Sequence, residues 1–343
     1  MPIELLESES SWPAILGDST YPRLNAHCVE WLDAVADGMR HAPYVLVHRN
    51  EEAEVDGLLP LLFVKSIIFG RFLVSLPYVN TGGVWALDES VAIALVSHAC
   101  ELADQLDVRY LELRHEIPVD HPRLNMQRTD KVHMRLPLPR TWEELNRSFK
   151  SKLRSQLKKV AAHSFQIQWG GSDLLPDFYR VFARNMRDLG TPVVSAHLFR
   201  SILNAFPEKA ELCVVQLDGL PLAGALLVHQ NGVTEVPSAS SLRSHNSTGA
   251  NMWMYQQLLS RAIEKGSHTF DFGRSSKESN TYRFKAQWNA IPFPSVWQYY
   301  VRRGSANDMR PDSSSNQALI QIWKRIPLWL TRWIGPSIVR GIP

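Results

Sequence analysis

"VDGLLPLLFVK", residues 55–65, and "LDGLPLAGALLVH", residues 217–229, tell the same story twice. Each opens on an Asp-Gly pair, the chemistry of a tight turn, and continues as an apolar run of strand-like composition. Two further correspondences follow in the same order. Pro77 in "SLPYVNTGG" matches Pro237 in "EVPSASS", and "CELADQLDVRYLELR" (100–114) matches "SRAIEKGSHTFDFGR" (260–274). Each member of the last pair reads as a helix of period near 3.6, a break, and an alternating strand ending in Arg. The offset is about 160 residues each time, so the chain reads as a duplicated domain.

Around the second copy, "LCVVQLDGLPLAGALLVHQNGVTEVPSASS" carries Asp-Gly and Asn-Gly turns between β-rich runs, the pattern of an antiparallel meander. "NMWMYQQLLSRAIEKG" has helical spacing and a glycine stop. A meander followed by helix and strand is α+β, with the helix laid on one face of the sheet. The expected division is a first domain over 1–140, a second over 141–304 holding the active site, and a linker with an amphipathic tail over 305–343.

Composition narrows the partners. The chain has 343 residues, 45% hydrophobic and 21% charged, with a formal charge of +3. That is too weak for nucleic-acid binding over the whole surface, so DNA is not an expected partner and any electrostatic surface is local. Cys28, Cys100 and Cys213 stand in no disulfide or metal spacing, and the acidic start "MPIELLESES" lacks a signal pattern. A cytoplasmic location, peripheral at the inner membrane, is expected, with no metal and no tightly bound cofactor.

Between the copies, "TWEELNRSFKSKLRSQLKKVAAHSF" opens with a capping box, Thr141 and Glu144. It then sets Phe149, Leu153, Leu157 and Val160 on one face and Arg147, Lys150, Arg154 and Lys158 on the other, and no acid interrupts 146–172. Lys150, Arg154 and Lys158 are therefore candidate phosphate contacts, competing with an ordinary exposed basic face. The tail "ALIQIWKRIPLWLTRWIGPSIVRGIP" mixes Trp with Lys and Arg and is interrupted by Pro327. Two readings stay open for it: membrane contact through 317–340, and docking on the protein's own surface.

Common catalytic motifs are missing: the sequence has no HExxH, P-loop, GxSxG or CxxC pair, and "SQLK" (155–158) matches SxxK without its companions. The candidates are positional. "FDFGRSSKESNTYRFKAQW" (270–288) runs from a buried strand into a loop rich in charge and aromatics. There Asp271 alternates with Phe270 and Phe272 and so faces away from them, either as partner of Arg274 or as an orienting group or base for an amine. Lys285, beside Phe284 and Trp288, suits a substrate phosphate or a developing oxyanion. "RSHNSTGAN" (243–251) precedes a helix whose start offers free N–H groups to an anion, with Asn251 among them.

"FARNMRDLGTPV" (182–193), "GLLPLLFVKSIIFGRFLVSLPYVNTGGV" (57–84) and "FDFGRS" followed by Tyr-x-Phe-Lys-x-x-Trp resemble the FemAB-like branch of acyltransferases with the GNAT fold. Within that branch they are most similar to FemAB proteins associated with exosortase and PEP-CTERM systems. The resemblance covers about 1–304 and departs from the group at Asn289-Ala290. It implies tandem GNAT-like domains and an amide-forming acyl or aminoacyl transferase. The implied acceptor is an amine-bearing, phosphorylated precursor of the cell envelope or an exopolysaccharide, a small molecule or a lipid-linked saccharide or peptide. The implied donor is aminoacyl-tRNA or acyl-CoA, and tRNA is then a partner. Lys285 is the lysine such enzymes use at the acceptor's diphosphate, with Asp271 as second catalytic candidate. Arg274, Tyr282, Phe284, Trp288, Tyr78, Asn80, Arg184, Asn185 and Asn251 are the expected substrate contacts. Two alternatives accompany this reading, an acyl-CoA-dependent N-acyltransferase on an amino sugar and a non-catalytic scaffold at the membrane.

Overall fold

The computed structural model describes residues 3–6, 25–304 and 314–343. The stretch 305–313, read above as a linker, lies outside them, as does most of the acidic start. The described residues form two compact units. One is drawn from within 1–131, 294–317 and 336–343, the other from 132–293 and 318–335.

The first unit is built on strands β1 (Glu4–Leu6), β2 (Ala42–Arg49), β3 (Val55–Ser66), β4 (Gly70–Val74), β5 (Trp85–Ala86), β6 (Tyr110–His115), β7 (Met126–Arg128) and β15 (Val296–Val301). Their order is β1-β2-β3-β4-β6-β15-β7, with β5 pairing β3. Helix α1 (Val29–Met39) precedes β2, and α2 (Glu89–Gln105) connects β4 to its parallel neighbour β6. Asp88 caps α2 by accepting the Val91 amide at 2.9 Å. The buried face of α2, including Val91, Leu95, Val96 and Ala99, packs on Leu59, Leu61, Leu73, Leu111 and Leu113 of the sheet.

The second unit repeats this plan. Its strands are β8 (Lys131–Pro137), β9 (Gln166–Gly170), β10 (Ala210–Leu217), β11 (Leu220–Gln230), β12 (Val233–Ser241), β13 (Thr269–Ser276) and β14 (Ile291–Pro294). They are ordered β14-β8-β13-β12-β11-β10-β9. Helices α3 (Trp142–Ser148), α4 (Ser151–Val160), α5 (Leu175–Leu189), α6 (Ala196–Ala205), α7 (Ala250–Glu264) and α8 (Asn280–Ala286) belong to it, and α7 joins parallel strands β12 and β13 as α2 joins β4 and β6. Two successive helices, α9 (Ser314–Arg325) and α10 (Leu328–Val339), follow at the C-terminal end and break at Pro327. The sequence-level duplication is therefore a duplication of sheet order.

Chain and sheets do not follow one cut. Strand β8, from the end of the first half, sits beside β13 in the second sheet, and β15, from the end of the second half, sits beside β6 in the first. The two strands occupy the same slot in their respective orders. A boundary at residue 140 therefore does not separate the sheets, because each is completed by a strand from the other half of the chain.

The turn reading holds for the second copy and fails for the first. Asp218-Gly219 and Asn231-Gly232 have φ of 51° and 75°, and 51° and 71°, in two-residue hairpin loops. Asp56-Gly57 instead lies inside β3. Asp56 hydrogen-bonds His48 Nδ1 at 2.6 Å. At Gly57 an added Cβ would sit within van der Waals contact of Val91 Cγ1 and 2.9 Å from Leu95 Cδ1. This glycine is needed because α2 crosses the strand closely, and the turn of the first copy lies at 50–54, where Asn50 Oδ1 accepts the Glu52 and Glu54 amides.

The two glycines should respond differently to alanine. Gly57→Ala forces α2 away from β3 and should lower unfolding free energy by about 1–3 kcal/mol. Gly219→Ala meets open space, so its only cost is the left-handed backbone, about 1–2 kcal/mol. Urea titrations measure both. A Gly57→Ala protein of wild-type stability would refute the close-approach account.

Candidate functional site

In each unit a strand, a helix and a parallel strand build a place where the two strands part. In the second unit, among the described residues, β12 and β13 pair only over Val233–Glu235 and Thr269–Asp271. Beyond these positions β12 continues to Ser241 and β13 to Ser276. Carbonyls on β13 past the split have no ladder partner across the gap, and a buried carbonyl without a partner is costly. Lys285 meets that need. It lies on α8, whose start is capped by Ser279 accepting the Tyr282 amide at 3.1 Å. Its Nζ donates to the carbonyls of Gly273 and Arg274, each at 3.1 Å.

Lys285 is 8% exposed. Burial pulls its pKa down to about 8; the Asp271 carboxylate opposes this and the Arg274 guanidinium adds to it. An ammonium has three donors, so the two carbonyls leave one N–H for a ligand.

Asp271 has a partner that sequence spacing did not offer. Its Oδ2 accepts Arg135 Nε from β8 at 3.0 Å, and its Oδ1 accepts the Gly273 amide at 2.7 Å. The expected pairing with Arg274 is thus corrected to Arg135. With both oxygens engaged, Asp271 fixes the backbone of β13 and supports the charge of Lys285. Phe270 and Phe272 lie on the opposite, core-facing side, ring centroids 4.7 Å apart.

Trp288 is corrected from substrate contact to core. It is fully buried, edge-on to Phe149 at 5.6 Å, and joins Tyr255 and Phe284 in one cluster. Tyr282 and Phe284 are partly buried against the same cluster. Asn185 on α5 donates to Ser240 Oγ on β12 at 3.1 Å, whereas the neighbouring Arg184 is half exposed and 3.7 Å from Asp188.

Two residues at the split carry no signal in the sequence. Arg135 lies 136 positions from its partner. Ser275 is 4% exposed and its Oγ has no hydrogen-bond partner. It lies on β13 two residues beyond Gly273, past the end of the pairing with β12. A small residue in "GRSS" gives no hint of burial.

The basic stretch 147–160 is two helices, α3 and α4, broken at Phe149 and Lys150. Thr141 caps α3 as expected, accepting the Glu144 amide. Leu153 and Leu157 are buried, while Lys150, Lys152, Lys158 and Lys159 are exposed; Arg154 is half-buried and donates to the Arg147 carbonyl at 3.2 Å. Residues 243–248 form a short 3-10 helix, and α7 starts behind Gly249, whose φ is 74° and which has no side-chain cap. A Cβ on Gly249 would collide with Val160. The end of α4, with Lys158 and Lys159, is therefore packed beside the start of α7, where Asn251 sits.

Tyr78 and Asn80 belong to the first unit. The Tyr78 hydroxyl lies 2.9 Å from the Val339 carbonyl and 3.0 Å from that of Ile342, so its expected role as a free substrate contact is corrected to tying down the C-terminal segment of its own unit. Asn80 is half-buried in the following loop. In this unit β4 ends where its pairing with β6 ends, and loop amides take the next carbonyls of β6, Ser75 donating to Glu112 and Gly82 and Gly83 to Arg114. Arg114, which matches Arg274 in the repeat, is buried, bonds Glu112 Oε1 at 2.7 Å and the Val79 carbonyl at 2.8 Å, and stacks 4.1 Å over Trp297. A cavity of about 660 Å³ lies nearby, lined in part by His27, Asp88 and His115. In the second unit a groove of about 370 Å³ is lined by Leu136, Pro139, Glu144, Ser148 and Asn289, and Lys285 is not among its lining residues. Among the described residues no group of three or more His, Cys, Asp or Glu is placed to hold a metal ion, and no helix is long and apolar enough to cross a membrane.

No curated protein matches the chain by sequence. Residues 147–286 match the family model of an acetyltransferase (GNAT) domain. Among solved structures, the chain is similar to FemX, with a TM-score of 0.64 and 15% identity over 94% of this chain and 100% of that one. It is similar also to L-PGS from Bacillus licheniformis, with a TM-score of 0.53 and 11% identity over 96% of this chain and 98% of that one. A tandem GNAT protein from the clavulanic acid biosynthesis pathway gives a TM-score of 0.53 at 14% identity, over 87% of this chain and 98% of that one. The fold is that of two GNAT-like units in tandem with C-terminal helices, and the chain, matched over 147–286 by the model of an acetyltransferase (GNAT) domain, is an acyltransferase.

Proposed function

We propose that this acyltransferase forms an amide on an amine-bearing, phosphorylated precursor of the cell envelope or an exopolysaccharide, with the reaction at the split of β12 and β13. The observation that carries the reading is the buried ammonium of Lys285, held on the Gly273 and Arg274 carbonyls with one donor to spare. Attack of a neutral amine on the donor's thioester or ester carbonyl puts negative charge on the carbonyl oxygen; as the C–N bond forms, the C–S or C–O bond breaks and the departing thiolate or alkoxide takes up the proton that the amine sheds. A fixed cation in a partly desolvated site stabilises that charge, or the acceptor's phosphate, far better than one in water. The resemblance of "FDFGRS" and the Tyr-x-Phe-Lys-x-x-Trp run to FemAB proteins of exosortase systems supports an envelope or exopolysaccharide setting.

The donor in this reading carries phosphate. Lys158 and Lys159 stand beside the start of α7, where Thr248 Oγ1 accepts the Ala250 amide and the following amides, with the partial positive charge of the helix, favour an anion. Acyl-CoA places a diphosphate there. The exposed one-sign run of Lys150, Lys152, Lys158 and Lys159 favours a second reading, aminoacyl-tRNA, whose backbone presents phosphates along a line.

Lys285→Met should lower kcat/KM by about 100-fold or more with the fold retained. The pH profile tests the charge. Activity that needs the cation falls as pH rises through about 8. Over the same range the unfolded chain, whose lysine titrates near 10.4, holds more protons than the native one, so stability rises from about pH 8 to that value. Activity rising through this window would mean that the neutral amine acts instead.

Ser275→Ala should cost activity about tenfold without destabilising the protein, because a buried hydroxyl with no partner contributes no stability. Unchanged turnover would remove Ser275 from the site.

Lys158→Glu combined with Lys159→Glu should weaken donor binding about tenfold. Titration against acetyl-CoA and against aminoacyl-tRNA at several salt concentrations separates the donors, since a tRNA contact loses affinity steeply with salt. Binding of either donor unaffected by the double change would overturn the phosphate assignment.

A further inference from the structure

The two C-terminal helices bury one edge and leave the other in water. In α9, Lys324 approaches Gly190 so closely that a Cβ there would lie 3.1 Å from Lys324 Cε, and Ile320 closes the same contact. In α10, Thr331 and Gly335 are buried. A Cβ on Gly335 would lie 3.0 Å from the Val193 nitrogen. The Arg332 guanidinium lies 5.3 Å over the Tyr179 ring. At about 100° per residue, Trp329 and Trp333 stand within about 40° of each other and opposite the Thr331–Gly335 edge. They are 71% and 74% exposed, and on α9 Leu319 and Ile322 are 63% and 59% exposed.

Indole is among the side chains a folded protein hides most readily, and two on one exposed helical edge call for a covering medium. The charge around them says which one. Residues 313–343 contain no Asp or Glu and four cations, Lys324, Arg325, Arg332 and Arg340. Arg325 and Arg332 are exposed. A one-sign surface of Trp and Arg complements the headgroup layer of an anionic bilayer, where the indole ring sits at the acyl boundary and guanidinium meets phosphate. Neither helix is long and apolar enough to cross the bilayer, so both would lie in its plane.

We propose that α9 and α10 dock the protein on the surface of an anionic phospholipid bilayer, with Trp329, Trp333, Leu319 and Ile322 entering the interface and Arg325 against the phosphates. The inference stands on the exposed helix edge and does not depend on the acyl-transfer reading.

The test is sedimentation of the full chain with vesicles of phosphatidylcholine, alone or with a minority of phosphatidylglycerol. Wild type should pellet with the anionic vesicles and be released by salt. Trp329→Ala combined with Trp333→Ala should lower the partition coefficient by about tenfold or more. Arg325→Gln should lower it about fivefold on anionic vesicles and leave it unchanged on neutral ones. These side chains are exposed, so Tm and the far-ultraviolet spectrum should stay at wild-type values. Three results would overturn the proposal: wild type remaining in the supernatant, the double variant pelleting as wild type does, or a lipid-free dimer that the double variant dissociates, which would assign the edge to a second copy.

Discussion

The site depends on a gap in a sheet. Two parallel strands that begin paired and then part leave carbonyls inside the protein with no partner across the split, and something must meet them. In the second unit that group is the ammonium of Lys285; in the first, backbone amides of the loop after β4 take the carbonyls of β6, Ser75 donating to Glu112 and Gly82 and Gly83 to Arg114. Arg114 is engaged by Glu112, by the Leu76 and Val79 carbonyls and by the Trp297 ring, and it lines the cavity of about 660 Å³. Lys285 has one donor left and a pKa lowered by burial. The same architecture thus holds an engaged arginine in one copy and a lysine with one donor to spare in the other.

Holding a cation there needs support from far along the chain. Arg135 and Asp271 belong to neighbouring strands, and the ion pair between them brings together two halves of the sequence. The pair is mostly shielded from water, where leaving one partner alone costs more than the pair gains. Removing Arg135 would release the Asp271 carboxylate, and with it the Gly273 backbone whose carbonyl holds Lys285. The exchange of β8 and β15 between sheets thus bears on the site as well as on topology, because the strand supplying Arg135 is itself one of the exchanged pair.

Much of the fold was legible because its signals are local. The Asp-Gly and Asn-Gly hairpins of the second copy announce themselves through residues that tolerate positive φ, and strand alternation put Asp271 on the face away from Phe270 and Phe272. The same reasoning failed at Asp56-Gly57, where the glycine answers a helix crossing overhead, a constraint that sequence spacing does not display. Trp288 misled for a related reason. An aromatic next to a candidate lysine reads as a binding surface, yet this one knits Phe149, Tyr255 and Phe284 together beneath the candidate site. Arg135 and Ser275 were illegible, the first because its partner is distant, the second because burial without a partner is visible only in three dimensions.

The tail invites two competing readings of one sequence, and helical geometry shows which residues each of them would use. An amphipathic helix with Trp and Arg can pack on its own protein or face a membrane, and composition alone does not choose. Helical geometry separates the two by residue. Ile320, Lys324, Thr331 and Gly335 face the protein's own surface, and Trp329, Trp333, Leu319 and Ile322 face out. Small residues on the inner edge allow close packing, so the helix is held firmly while its outer edge keeps its largest apolar groups in water. A helix held only by a membrane would lose its place on dissociation, whereas this one is ordered beforehand and would reach a bilayer without a folding cost.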